Sequence, residues 1–205
     1  DNLSKRLFVT SGADTSLRIV NINNTSAPVQ IARISIAPYG IDMTSVAAKD
    51  GLIAVAVIDS TGKTANCKVV FFDSNGNFIN QVRVGSNPDM VIFTPDGKKL
   101  LVANEGEPNG DYTIDREGSV SIINLSNGAA ALTQANVQTA GFTQFNSQTL
   151  DARIRITGKI QSGGSFLRNS TVAEDLEPEY ITISDDGKTA WVTCQQNNCI
   201  ATLDI

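Results

Sequence analysis

At 205 residues, with 41% hydrophobic and 18% charged side chains, the chain is long enough for one substantial domain and too apolar for disorder to be expected. A net charge of −5 argues against a nucleic-acid or anionic-membrane surface, and no run approaches the roughly 18 apolar residues of a spanning helix. Histidine is absent, which removes the usual general base and the commonest transition-metal ligand, so any chemistry must rest on carboxylates, hydroxyls, lysine or a hard metal ion.

The chain opens on "DNLSKRLFVT", strand-like within a few residues and without a basic-then-apolar leader, the start expected of a processed or truncated product. Short runs rich in Val, Ile, Phe and Thr follow: "LRIVNI", "VQIARISI", "LIAVAVID", "KVVFFD", "FINQVRV", "MVIFT", "KLLVAN" and "SVSIINL". Gly, Asn, Asp and Pro clusters bound them, which is strand punctuation. Asp-Gly turns end at Gly51, Gly97 and Gly187, where glycine meets the positive φ of a tight hairpin. Further on, "SNGAAALTQANVQTA" can supply an outer strand. In "FTQFNSQTLDARIRITG" the residues Phe145, Leu150 and Ile154 recur at helical spacing, with Asn146 as N-cap and Asp151, Arg153 and Arg155 on the solvated side. "KIQSGGSFLRNSTVA" reads as a Gly/Ser-rich loop. The strands "YITIS", "AWVTC" and "CIATLDI" close the chain, and Tyr180 and Trp191 within them are assigned to the core.

Repetition decides the architecture. "PDMVIFTPDGKKLLVANEGE" from Pro88 and "PEYITISDDGKTAWVTCQQN" from Pro178 share one order: Pro-acid, strand, Asp-Gly-Lys turn, strand, polar loop. A third strand follows each, and "APYGIDMTSVAAKDGLIAVAVIDS" is a fainter copy. Units of roughly 40–50 residues with three or four strands are the mark of propeller blades, whereas a β-sandwich gives no reason for the same order to recur. The expected fold is therefore all-β, a β-propeller of which the chain covers about three and a half blades. Blade portions fall at 6–36, 37–84, 85–140 and 174–205, within one partial domain over 1–205, and a partly helical insertion spans 126–173. An open arc exposes apolar flanks, so the missing blades are expected from further residues of the same protein or from another chain.

The loop from Asn104 to Gly118 gathers Glu105, Glu107, Asp111, Asp115 and Glu117, and a second acidic stretch carries Glu174, Asp175, Glu177 and Glu179. Blade geometry sends both to one face, with Asp14, Asp59 and Asp89 at comparable positions in other units. Such a surface can hold Ca²⁺ through Glu105, Glu107, Asp111, Glu177 and Glu179, can face a partner, or can be a solvated connection. "DREG" lacks the EF-hand spacing, and crowded carboxylates raise one another's pKa unless a cation or Arg116 neutralises them. Cys194 and Cys199 flank the turn "QQNN" and either bridge across a hairpin or remain half-buried thiols, with Cys67 left free. C-x4-C with no second ligand pair does not make a zinc site. Asn-x-Ser/Thr acceptor patterns stand at Asn24, Asn124 and Asn169, as well as Asn2 and Asn23.

At "VANEGEPNGDYTIDREGSVSII" and "AEDLEPEYITISDDGKTAWVTCQQNNCIATLDI" the sequence resembles the choice-of-anchor I domain proteins, similar to mesenchyme-specific cell-surface glycoproteins, some of them labelled alkaline-phosphatase-like. The resemblance runs from about Arg6 to Ile205. It implies a YVTN/WD40-like propeller, secreted or at the cell surface, acting as a non-enzymatic adhesion, matrix or filament-assembly module with a protein or matrix partner. The alternative it leaves is a metal-dependent phosphoesterase on the acidic face; no catalytic residue carries over.

Overall fold

The computed structural model describes residues 1–205, and its regular structure is almost entirely antiparallel β. Sheet one contains β1 (Arg6–Ser11), β2 (Ser16–Asn21) and β3 (Val29–Ser35). Sheet two contains β4 (Asp42–Lys49), β5 (Leu52–Ile58), β6 (Asn66–Asp73) and β7 (Phe78–Ser86). Sheet three contains β8 (Pro88–Phe93), β9 (Lys99–Asn104), β10 (Ser119–Asn124) and β11 (Val137–Gly141). A separate hairpin joins β12 (Lys159–Ser162) to β13 (Ser165–Asn169), and sheet four contains β14 (Tyr180–Ile183), β15 (Thr189–Cys194) and β16 (Cys199–Asp204). Each ladder pairs strands that are consecutive in the chain.

The turns follow from local chemistry. Asp50 and Gly51 both take positive φ, 51° and 84°, as a two-residue hairpin between Lys49 and Leu52 requires. The two matched sequence units build the same turn twice. Thr94 Oγ1 donates to Asp96 Oδ1 at 2.7 Å, and Ser184 Oγ donates to Asp186 Oδ1 at 2.6 Å. The amides of Lys98 and Lys188 donate to the same two carboxylates at 3.0 and 3.1 Å. Beyond the third strands, the Leu125 amide reaches Lys98 O and the Ile205 amide reaches Lys188 O. "MVIFT" and "YITIS" thus hold equivalent places, each leading its own sheet.

Packing follows the two-residue alternation of strands. In β5, Ala54, Ala56 and Ile58 join the core shared with sheet three, while Ile53, Val55 and Val57 join the core shared with sheet one. In β9, Leu100 and Val102 face sheet two, and Leu101 and Ala103 meet Ile181, Ala190 and Val192 of sheet four. The inner sheets are covered on both faces, which is why their strands read as unbroken apolar runs. The first strands lie beside one another, β4 against β1 and β8, and β8 against β14. The outermost faces are different. Leu7, Val9, Val29 and Ile31 of sheet one are exposed, as are Tyr180 (64%), Trp191 (41%) and Ile200 (64%) of sheet four.

That last observation corrects the assignment of Tyr180 and Trp191 to the core. Both occupy the outward phase of strands whose inward phase is Ile181, Ala190 and Val192, and no further sheet covers them. The helix expected from Phe145 is also absent. Thr143–Phe145 forms a 3-10 turn, and Asn146 closes its C-terminal end instead of capping a helix N-terminus, its Oδ1 accepting from the Ala173 amide at 2.9 Å. Phe142, Phe145, Ile154 and Ile156 instead pack irregularly with Leu176 and Cys194. Asp151 and Arg153 form an exposed ion pair within two residues of each other, and Arg155 sits, exposed, in irregular chain. The Gly/Ser-rich loop is in fact the β12–β13 hairpin, with Gly163 and Gly164 at φ 56° and 77°.

Gly118 marks where the acidic loop meets the chain leading to sheet four. A Cβ there would stand 1.9 Å from Leu176 O, and the Gly118 amide donates to Ala173 O at 2.9 Å. Gly118→Ala is therefore expected to destabilise the protein by about 1–3 kcal/mol or more, as overpacking does. Urea unfolding followed by the fluorescence of Trp191 measures it.

Candidate functional site

Two segments meet at the ends of sheets three and four. The first, 104–118, leaves β9 and returns to β10. The second, 170–179, leads from β13 into β14 and holds the single-turn helix α1 (Val172–Asp175). Thr171 caps α1 through its side chain, and Glu174 reaches back to the Thr171 amide at 2.7 Å, a capping box read directly from T-x-x-E. Besides the Gly118 contact, Ser170 Oγ donates to Asp115 Oδ2 at 2.7 Å, and the Gln161 amide donates to Tyr112 O at 2.8 Å.

Asn197, buried in the "QQNN" turn, fixes the second segment. Its Nδ2 donates to Asp175 O at 2.6 Å and Arg155 O at 3.0 Å, while its Oδ1 accepts from the Glu177 amide at 2.9 Å. Glu177 is thereby held at 8% exposure, with Oε2 lacking any hydrogen-bond donor. Burial, and then the carboxylates of Glu105, Glu107, Asp115 and Asp175, push its pKa up to about 8. Glu105 is pushed up to about 7 by burial and by Glu107, Asp89 and Glu179. Asp115 rises to about 6, chiefly by burial. Asp89 and Glu179 are raised as well, by burial and by Glu107 and Asp89 respectively.

Two groups answer this charge. Lys63 Nζ pairs with Glu107 Oε2 at 2.5 Å, and Asn87 Nδ2 donates to Glu105 Oε2 at 2.6 Å. Arg116, expected to neutralise the loop, instead donates from Nε to Thr64 O at 2.8 Å. A polar cleft of about 560 Å³, lined in part by Asn66, Ser86, Asp115, Arg116, Glu117 and Glu174, adjoins the loop.

Of the five metal-ligand candidates, Glu105, Glu107, Glu177 and Glu179 belong to this mutually repelling group. Asp111 stands apart, exposed and accepting from Thr113 Oγ1 at 2.8 Å. Asp14 is paired with Arg18 and Arg33, and Asp59 with Lys68, so neither joins them. No three Asp, Glu or Cys side chains converge at metal-ligating geometry. Cys194 and Cys199 are directly opposed in register and are free thiols, as is Cys67. Burial and the neighbouring Cys199 push the Cys194 thiol well up. Asn24, Asn124 and Asn169 are all exposed. Sequence reasoning missed Lys63, Asn87 and Asn197. Lys63 and Asn87 come from the β5–β6 and β7–β8 connections, so only tertiary proximity identifies them. For Asn197 the signal was present, a polar turn between apolar strands.

The sequence profile described as the choice-of-anchor I domain matches residues 1–205. No curated protein matches the sequence. Among solved structures, the chain is similar to hydrazine synthase of Kuenenia stuttgartiensis, with 14% identity and a TM-score of 0.57 over 98% of this chain and 49% of that one. It is similar also to the complex of KlAtg21 with the coiled coil of AgAtg16, with 10% identity and a TM-score of 0.55 over 98% and 50%. A protein of unknown function from Bacteroides caccae gives 12% identity and a TM-score of 0.50 over 98% and 53%. These likenesses concern the fold alone, and the chain spans about half the length of each.

The raised carboxylates carry a pH dependence. Their folded pKa values lie above the ordinary 4.5, so the folded state binds protons more tightly than the unfolded chain, and their contribution is lost as pH rises through about 7 and 8. In chelator-treated buffer the urea midpoint is expected to fall across this window, and Glu177→Gln is expected to flatten the fall. Unfolding curves across that pH range check both.

Proposed function

The chain belongs to the choice-of-anchor I domain family, and from that premise we propose that it is a β-propeller module of the extracellular or cell-surface space, serving adhesion, matrix or filament assembly rather than catalysis. One observation carries this reading: sheets one and four each present an apolar face of the kind that sheets two and three bury. Leu7, Val9 and Ile31 at one end, beside Arg18 and Arg33, and Tyr180, Trp191 and Ile200 at the other, beside Thr182, Thr193 and Thr202, occupy the strand phase that is buried at each internal junction. Isolated exposed apolar residues are ordinary, but contiguous apolar sheet faces mark interaction surfaces. Side-by-side first strands and meandering sheets are blade geometry, and further blades, from the same protein or from an assembly partner, are the natural cover for both faces.

The absence of histidine and of a phosphate-cradling glycine loop supports the non-enzymatic reading. Exposed Asn24, Asn124 and Asn169 and the opposed Cys194–Cys199 pair suit a secretory route, with glycans at the first three and a disulfide at the last. Light scattering and dye binding test the surface. The chain is expected to associate and to take up a hydrophobic dye, and Trp191→Ser with Ile200→Ser is expected to weaken both while leaving the far-UV spectrum unchanged. A monodisperse monomer without dye uptake would refute the reading, as would calcium-dependent hydrolysis of a phosphate ester.

A further inference from the structure

Cys194 ends β15, Cys199 opens β16, and the two stand opposite each other in a ladder without a bulge. The Ile205 amide donates to Lys188 O at 2.9 Å, and the two-residue alternation of an antiparallel ladder carries that hydrogen-bonded phase to 194 and 199. Residues opposed in that phase lie about 5.5 Å apart at Cα, inside the roughly 4.4–6.8 Å that a disulfide spans. The two thiols can therefore join without moving the backbone. They differ in access. Cys194 is fully buried against Phe142 and Leu176, whereas Cys199 is half-buried. An open cleft of about 600 Å³, lined by Thr193, Cys194, Gln195, Asn198, Cys199 and Ile200, leads to the pair. Between the cysteines lies the turn that carries Asn197, whose Oδ1 accepts from the Glu177 amide and whose main-chain carbonyl accepts from the Arg155 amide, both at 2.9 Å. Whatever fixes the ends of this turn fixes both of those partners.

We propose that Cys194 and Cys199 form a reversible dithiol–disulfide site, and that its closure pins the Asn197 turn and with it the 174–177 segment. The co-reactant is a small-molecule disulfide. The Cys199 thiolate, the more accessible of the two, attacks one of its sulfurs, and a mixed disulfide forms as one small thiolate leaves. The Cys194 sulfur then gives up its proton, displaces the second small thiolate and completes the Cys194–Cys199 bond. In balance, the protein loses two electrons and two protons, and the small disulfide becomes two thiols. Burial pushes both cysteine thiols up, so neither is a standing thiolate and the site waits on an oxidant that enters the cleft. Cys67 takes no part, being buried in the core shared by sheets two and three. The bond itself rests on the secretory reading above. The order of attack and the hold on the acidic segment go beyond that reading and need no apolar sheet face.

Oxidised glutathione, followed by dithiothreitol, tests this on the full chain. The glutathione disulfide is expected to lower the thiol count of the unfolded protein from three to one, Cys67 being the thiol left, and dithiothreitol is expected to restore all three. Cys194→Ser is expected to stop at a glutathione adduct on Cys199, and Cys199→Ser to take up none at Cys194. Cys194→Ala and Cys199→Ala carry the same comparison should the serine variants not fold. In the closed form, amide hydrogen exchange at Glu177 and Arg155 is expected to slow by on the order of tenfold, as a restraint across so short a ring should cause, with the β5–β6 ladder unchanged. Three thiols remaining after oxidised glutathione would overturn the site and the secretory disulfide together. Closure with unchanged exchange at Glu177 and Arg155 overturns the pinning alone and leaves that disulfide standing. An adduct held at Cys194 in place of Cys199 overturns the order of attack.

Discussion

The arrangement of the acidic face depends on one side-chain amide. Asn197 lies in a four-residue turn of sheet four, yet its polar atoms serve two separate stretches of chain. It donates to Asp175 O and Arg155 O, accepts from the Glu177 amide, and receives the Arg155 amide on its own carbonyl. The Glu177 amide would otherwise be buried without a partner, which proteins rarely tolerate, and the Asp175 and Arg155 carbonyls would lose a part-buried one. An apolar residue at 197 would leave the 151–157 connection and the 174–177 segment without their common anchor. A shorter polar residue would satisfy part of the set. The identity of a single turn residue thus places Glu177 among other carboxylates, in spite of their repulsion.

The sheets provide the rigid frame on which that repulsion is held. Because alternate residues of β5 and β9 enter different cores, every inner sheet is clamped from both sides. The paired Asp-Gly turns repeat one hydrogen-bond pattern where β8 and β14 end, and the two strands lie side by side. Carboxylates are brought together here by repetition. The loop before one first strand and the loop after a second strand converge wherever two such units stand side by side.

Much of this was legible in the sequence because it was repeated there. The Pro-acid, strand, Asp-Gly-Lys, strand order specified two sheets, and the meeting of "NEGEPNGDYTIDREG" with "AEDLEPE" followed from it. Local pattern failed where tertiary surroundings decide. Phe145 and Ile154 have helical spacing, but they fill an irregular apolar crevice against Leu176 and Cys194, and no helix forms. Tyr180 and Trp191 look like core because large aromatics in strands usually are, whereas exposure depends on whether a neighbouring sheet exists. Lys63 and Asn87 reach the site from sheet two, across more than any local pattern spans. The Gly163–Gly164 hairpin was hidden by its composition, since glycine and serine read as loop unless flanking strands are recognised.

Strand pairing that joins only chain neighbours has a consequence for how the protein comes apart. Each sheet can form by itself from contiguous sequence, at low loop-closure cost, and couples to the rest only through its faces. Cooperativity then passes from sheet to sheet as along a row of dominoes. Sheets two and three, each gripped on both faces, hold the row together, and damage within β5 or β9 loosens two neighbours at once.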